Sequence, residues 1–543
     1  MKKLLGVSLV LTLIFAASCS DAKKGYPVDK YNLKPGNQME NAPDWYKSAV
    51  FYHIWVRAFN DAKYDDGLGD LKGITKKMGY LEDLGVTAIW LSPIFDCGKK
   101  KSAIHGYDVT DFYSLNDRFG TKEDLEDLLD EAHDRGIRVI FDFPLNHTST
   151  KHKWMEEHPE WYVWEKETPQ GWGLPWGGGN PYNVWRFHRS QSHFYSAFAN
   201  DDMADLNYMY KDASGHYPVR DEMNKVAKYW LDRGFDGIRY DAVRYIVEDG
   251  AGKQADSPET HQIFREMRAS LNDYTAKDKS YKVMIAEAWT DEPKVGQYFG
   301  DGRDEFNICF DFMGAQRLPS AIEQESTSLL TSLWEYEQEN YPDGYTMGLF
   351  QNNHDNVTSR PGTQFEGDKY QQILSAAVTV FGPGVPFIYY GNEIGMEGEM
   401  GNDANLRVSI DWNEVDKQDD DKESLLNWYR HIIKAHNVCP SLSGKMTLLG
   451  TGDDSYLAFE KEKDGEKTLV VMNFTSKPKD ISLDLSQVKV KPDSGISPVL
   501  GNLPKKAKLK GTTLELKGIP GYGVNVIWLE GKKPPKKVAG YVK

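Results

Sequence analysis

Apolar residues along the first four-fifths of the chain recur in short runs of strand length, separated by longer stretches with helical spacing. The runs 50–56, 85–91, 137–143, 235–241, 282–287, 306–312, 346–352 and 386–390 are rich in β-branched and aromatic residues and predict buried strands. Amphipathic stretches follow most of them. In 121–135, leucines recur among acids, and Thr121 stands at the N-cap position of the predicted helix. Eight β units alternating with helices predict an α/β fold, a (β/α)8 TIM barrel.

Two segments break the alternation. Between His147 and Asn207 the chain is rich in Trp, Pro, Gly and His without a helical period, and is too long for an ordinary βα loop. It predicts an irregular domain inserted after the third strand. Beyond Pro440 the period shortens to alternating strands such as 455–459, 468–472 and 523–527, which predict a C-terminal antiparallel β-sandwich. The expected organisation is therefore a barrel in two parts, 44–146 and 208–440, an insertion at 147–207 and a terminal domain at 441–543.

The N-terminus carries a different pattern. Lys2-Lys3 precedes an apolar stretch from Leu4 to Phe15, which ends in Ala16-Ala17-Ser18-Cys19. This predicts a signal peptide over 1–18, too short for a permanent span. A Cys at this place resembles a bacterial lipobox, with Ala16 where Leu is preferred. The expectation is an exported, membrane-anchored lipoprotein acylated on Cys19, with 19–43 as a polar tether. Ordinary secretion is the alternative.

Composition narrows the partners. A net charge of −16 argues against nucleic acid. The cysteines left after Cys19 are Cys97, Cys309 and Cys439, an odd set without short spacing, and predict packing residues rather than a disulfide framework. Six of the 15 Trp fall between Trp154 and Trp185, as core packing or as stacking platforms around a cleft.

The chemistry lies at the strand ends. Phe141-Asp142-Phe143-Pro144-Leu145-Asn146-His147, Gly237 to Ala242, Ala286-Glu287-Ala288-Trp289 and Asn353-His354-Asp355-Asn356 each close a predicted strand with acidic, His or Asn groups. Barrel enzymes gather their reactive groups there. Arg239 and Asp241 alternate onto one face, so the guanidinium is expected to hold Asp241 ionised, as a nucleophile requires. Glu287, beside apolar residues and Trp289, is expected to have a raised pKa, as a general acid requires. Asp355 is placed to stabilise positive charge on a sugar ring. Three such carboxylates supply what glycoside hydrolysis needs.

These segments, with Gly69-Asp70-Leu71, His105-Gly106-Tyr107-Asp108, Met203 to Asn207 and Gly384 to Gly391, resemble glycoside hydrolase family 13, the α-amylase family, from about residue 44 to the end. The resemblance implies the barrel, a domain B, a terminal β-sandwich and a retaining mechanism with Asp241, Glu287 and Asp355 catalytic. It also implies Tyr107 stacking under the sugar, His147, Arg239 and His354 bonding its hydroxyls, and Arg244 on the leaving-group side. Arg244-Tyr245 departs from the Lys-His pair frequent in the family's amylases. The loop Asp61 to Asp70 resembles an acidic calcium loop of part of the family. Asp61, Asp66, Asp70 and the Leu68 carbonyl are the expected ligands, with a plain polar loop as the alternative and no organic cofactor. The expected activity is α-1,4 hydrolysis of starch or malto-oligosaccharides. Within the family the alternatives are a neopullulanase/cyclomaltodextrinase-like or α-glucosidase activity, or a transglycosylase such as a trehalose synthase. Outside it, the alternative is a non-catalytic sugar-binding lipoprotein.

Overall fold

The structure, a computed structural model, describes residues 43–98, 105–189, 192–278, 281–450, 452–501 and 507–539. The predicted signal peptide, Cys19 and all of the predicted tether except Pro43 lie outside the described residues. Among the described residues no helix is long and apolar enough to cross a membrane.

The expected barrel is present. Strands β1 (Phe51–Ile54), β2 (Ala88–Leu91), β3 (Arg138–Phe143), β4 (Gly237–Tyr240), β5 (Val283–Ala286), β6 (Ile308–Phe310), β7 (Met347–Phe350) and β8 (Gly384–Tyr389) close into one parallel sheet. Each observed strand overlaps its predicted run; β1 to β7 are shorter at one end or both, because terminal residues of the runs turn into the loops, while β8 starts two residues earlier than predicted, at Gly384. Along β2, Ala88 and Trp90 point into the barrel with Phe51, Ile140 and Ile285, while Ile89 and Leu91 join the outer core under the helices. This two-residue alternation is what a barrel buried on both faces requires. The predicted helix forms as Lys122–Asp134, and Thr121 with Asp124 makes a capping box at its start.

The insertion holds more regular structure than its sequence predicts. Trp164–Glu165, Ser192–Tyr195 and Trp185–His188 form a three-stranded antiparallel sheet, and His147–Ser149 pairs with Met203–Asp205 at its root. Of its six tryptophans, Trp154, Trp161 and Trp185 are buried and only Trp176 is exposed. Core packing therefore accounts for most of the cluster.

The C-terminal domain is a six-stranded antiparallel sheet covered on one face by the pair Lys479–Asp484 and Thr513–Ile519. Tyr456, Ala458, Leu469 and Val471 face that pair, while Leu457, Phe459, Val470 and Met472 face the barrel and join its core. At this joint the buried Lys461 donates to the carbonyls of Gly382 (2.6 Å) and Leu442 (2.7 Å). Burial pulls its pKa down to about 7. Cys97, Cys309 and Cys439 are free and buried.

Candidate active site

The site forms where β3, β4, β5 and β7 end. Gly237 opens β4 because a Cβ there would meet Val283 Cγ1 at 2.3 Å, so only glycine lets β4 lie this close to β5. The ladder continues one residue past each strand: Asp241 N–H donates to Phe143 O (3.0 Å) and Glu287 N–H to Tyr240 O (3.1 Å). Both carboxylates are thus fixed by sheet hydrogen bonds rather than by a free loop. Asp355 sits in a turn in which its N–H donates to Asn353 Oδ1 at 2.9 Å.

Arg239 is the hub. It is fully buried, and its Nη1 donates to Asp142 Oδ1 (2.7 Å) and Asp241 Oδ1 (2.6 Å). Its Nη2 lies 3.1 Å from Glu287 Oε2. Asp142, its register neighbour on β3, also accepts from Trp90 Nε1 (3.1 Å) and the Tyr107 hydroxyl (3.0 Å). Glu287 Oε2 accepts the Ala242 N–H at 2.8 Å. Ala242 holds φ +53°, a left-handed backbone that costs a non-glycine residue about 1–2 kcal/mol. Strain of this kind persists where surrounding structure fixes it, and here it aims an amide at the carboxylate.

The second wall is built on Asp355. Its Oδ1 accepts from Arg407 Nη2 (3.1 Å), and its Oδ2 lies 3.2 Å from His354 Nε2. The same His354 nitrogen lies 2.7 Å from the Tyr107 hydroxyl, and the two rings stack at 5.7 Å. His147 Nε2 is 3.0 Å from Tyr107 O. Burial lowers the pKa of His147 to about 4 and that of His354 well below 6.5, so both rings are neutral.

Four carboxyl groups therefore meet two guanidinium groups. Burial raises all four pKa values above the carboxylate range. Glu287 rises to about 7, through burial and then, against the pull of Arg239, the charge of Asp241. Asp355 rises to about 7, through burial and the charge of Glu287, opposed by Arg407. Asp241 rises to about 6, with Arg239 opposing burial. The expectation that Arg239 would hold Asp241 below the ordinary range is thus corrected, because burial and neighbouring Asp142 outweigh the guanidinium. The cluster titrates as a unit, so its carboxyls lose their protons in overlapping steps.

These groups open onto a cavity of about 670 Å³ lined by Tyr107, His147, Asp241, Glu287, His354 and Asp355, among others. Arg239 lies behind them. Arg244 lines the cavity too, but its guanidinium donates to both oxygens of Asp256 (2.8 and 2.6 Å) and to Trp289 O (2.6 Å). It is a strut between loops. Arg407 and Asp142 were not singled out from the sequence. Arg407 caps the end of a four-residue helix, Asp403–Leu406, which is too short to show a period. Asp142 precedes the His of its own motif, and its partners come from β2 and β4.

The expected calcium ligands are not gathered. Both oxygens of Asp61 accept turn amides, from Asp65 (3.0 Å) and Gly67 (2.7 Å). Asp66 accepts from Leu68 N–H, and Asp70 caps the helix at Leu71–Lys76 while accepting from Ala62 and Lys63. Among the described residues no three His, Cys, Asp or Glu side chains form a metal cluster. Oxygen donors of another kind meet at the root of the insertion. The buried atoms Asp205 Oδ1, Glu248 Oε1 and both polar side-chain atoms of Asn146 find no well-formed hydrogen bond among the described residues. Burial raises the pKa of Asp205 to about 7 and that of Glu248 higher still, with the charge of Asp205 adding to the second. An oxygen-only set of this kind suits a hard cation.

Comparison with known proteins agrees with this geometry. The family model "Alpha amylase, catalytic domain" matches residues 53–435. The chain is 31% identical over 464 residues to Alpha-amylase 3 of Dictyoglomus thermophilum, covering 79% of this chain and 85% of that protein. It is 30% identical over 560 residues to the trehalose synthase/amylase TreS of Mycolicibacterium smegmatis, covering 86% and 91%. Among solved structures, the α-amylase from H. orenii superposes with a TM-score of 0.70 at 28% identity, covering 89% of this chain and all of that one. The chain belongs to the α-amylase family, glycoside hydrolase family 13, and is an O-glycosyl hydrolase.

Proposed function

We propose that the protein is a retaining α-glucan hydrolase that cleaves α-1,4-glucosidic bonds in starch or malto-oligosaccharides. The observation that carries this reading is Arg239 touching Asp241 and Glu287 at once, at 2.6 and 3.1 Å. Two carboxyls bridged by one guanidinium leave little room for the water of an inverting site, and suit the carboxyl spacing of about 5–5.5 Å used in retention. Glu287 gives its proton to the leaving oxygen while Asp241 attacks the anomeric carbon. Glu287, now a base, takes a proton from water as the ester to Asp241 opens. Asp355, steadied by Arg407, faces the positive ring. Tyr107 supplies a stacking face, and neutral His147 and His354 bond hydroxyls without adding a repelling charge.

The relative named α-amylase supports hydrolysis. The relative named trehalose synthase/amylase supports a second reading, in which the glucosyl group is returned to a sugar. A timed product profile on soluble starch, pullulan and maltose separates them. Maltodextrins of falling length from starch support hydrolysis. Trehalose from maltose supports the second reading, trisaccharide from pullulan a neopullulanase, and no product from any of them overturns both.

Two further features belong to the same reading. Asn146, Asp205 and Glu248 are the residues that would hold calcium, and its charge would offset the repulsion between the two buried carboxyls. The sequence up to Cys19 supports export and lipid anchoring, which would keep the enzyme on a bacterial envelope and near polymeric glucan. Cys19→Ala should move active enzyme from the membrane to the soluble fraction. A wild type already soluble contradicts the anchor.

A further inference from the structure

A carboxylate outside the cleft ties together the two pieces of backbone that flank Glu287. Asp256 lines a second cavity of about 620 Å³, with His261 and Glu305, and does not line the catalytic cleft. It reaches the cleft through Arg244. Its Oδ1 and Oδ2 accept from Arg244 Nε (2.8 Å) and Nη2 (2.6 Å), and its own N–H donates to Arg244 O at 2.9 Å. A bidentate ion pair with a backbone bond beside it fixes direction as well as distance. Burial pushes the Asp256 carboxyl up, yet the bonds from Arg244 hold it below the usual carboxylate range, so it stays an anion while the catalytic cluster titrates.

Arg244 passes this constraint in two directions. On one side it belongs to the turn Val243–Tyr245, which Ala242 opens in the left-handed conformation. The Ala242 N–H holds Glu287 Oε2 at 2.8 Å, so the turn that Asp256 grips is the turn that aims this amide. On the other side, Arg244 Nη1 donates to Trp289 O at 2.6 Å, two residues past Glu287. Asp256 holds the same segment a second time, where its Oδ1 accepts the Tyr298 hydroxyl at 2.8 Å, just beyond the helix Glu292–Gln297. The chain that leaves Glu287 is therefore pinned near both ends to one side chain. Asp256 itself holds φ +56°, a conformation that few residues other than glycine adopt. Its loop is anchored to the insertion by the buried Gln254, whose Nε2 donates to Gly173 O at 2.8 Å. Backbone strain that the surroundings over-determine in this way marks a residue held for a function.

We propose that Asp256 is a positioning residue that sets the proton-transfer geometry of Glu287, by locking the turn that carries the Ala242 amide to the segment that follows the acid. This rests on Glu287 being the acid and base of the proposed function. Without Asp256, the turn and the segment move independently, and the carboxyl drifts from hydrogen-bond reach of the leaving oxygen. A misplacement of about 1 Å at such a group can cost about 100-fold in rate. The nucleophile is held otherwise. Asp241 takes its bonds from Arg239 and, through its N–H, from Phe143 O, and neither partner touches Asp256. The loss therefore falls on the steps that need a proton.

The test compares 2,4-dinitrophenyl and phenyl α-maltotriosides on the full-length protein. Both bring the same maltotriosyl group and an aryl ring, but dinitrophenolate leaves without a proton and phenolate does not. The value of kcat/KM covers the steps up to the first bond cleavage. Asp256→Ala should lower it about ten-fold for the phenyl substrate, part of the roughly 10²–10⁴-fold that a positioned acid supplies, and by no more than about two-fold for the dinitrophenyl one. Asp256→Asn keeps one acceptor oxygen and tolerates the left-handed backbone, so it should lose only about three-fold, again on the phenyl substrate alone. It carries the test if the Ala variant does not fold. Equal losses on both substrates, or no loss on either, in a variant that still unfolds cooperatively on heating, overturn the positioning role. Failure of the underlying reading looks different. Glu287→Gln, run beside them, would then lose equally on both substrates, and the role of Asp256 falls with it.

Discussion

Replacing Glu287 by Gln removes a charge that the fold resists. The carboxyl rises from 4.5 to about 7 in the folded protein, through burial and the neighbouring Asp241. Because the folded pKa lies above the unfolded one, the folded state keeps a proton that the unfolded chain has lost between those values. Stability therefore falls as pH climbs from about 4.5 to about 7 and stays level beyond it. A gap of this size corresponds to about 3 kcal/mol. Gln never ionises, keeps the carbonyl that accepts Ala242 N–H, and relieves Asp241 and Asp355 of a repelling neighbour. With an unfolding entropy of roughly 2 cal/mol/K per residue, a chain of 543 residues gains about 3 °C in melting temperature. Thermal scanning of both proteins from pH 4.5 to pH 8.5 should show the variant's advantage appear and grow towards neutrality. An advantage independent of pH, or one that shrinks as pH rises, would refute the reasoning.

Three further outcomes follow from the same geometry. Arg239→Ala should cost about 3–5 kcal/mol, because it strands carboxylates in a dry site, and chemical denaturation should report that loss together with the loss of turnover. The pH profile of kcat/KM should be a bell with limbs near 6 and 7, from the carboxyl cluster ionising in steps, and a profile flat from pH 5 to pH 8 contradicts the assignment. Calcium should raise the melting temperature of wild type and of Asp70→Ala but not of Asp205→Ala, because only the last removes an oxygen donor from the set at the root of the insertion.

Much of the architecture was legible because burial on both faces forces continuous apolar runs, and eight of them can be counted along the chain. The insertion was less legible. Its strands are short, and Trp164 and Trp185 occur among Gly and Pro without a steady alternation. For the site, carboxylates at strand ends could be identified one by one, since position on a strand fixes which side chains meet at the barrel mouth. Their charge state was not legible. The proximity of Arg239 to Asp241 can be read from a two-residue spacing, but the shift is reversed by burial and by the charge of Asp142, which arrives from β3. The acidic loop shows the same limit. Spacing counts carboxylates, yet Asp61 and Asp70 spend theirs on the amides of their own turn and helix. Arg407 and the clamp of Arg244 on Asp256 are contacts between loops, and no local pattern encodes them.

The central claim is that Asp241 attacks and Glu287 moves the proton. The Glu287→Gln protein given α-maltotriosyl fluoride tests it most directly, because fluoride leaves without a proton and the variant lacks the base that would free the product. The account predicts that intact mass rises by one maltotriosyl group, that the group maps by peptide sequencing to Asp241, and that wild type releases the α-anomer first by NMR. A protein that stays unmodified while consuming the fluoride, an adduct on another residue, or a β-anomer as first product would contradict it.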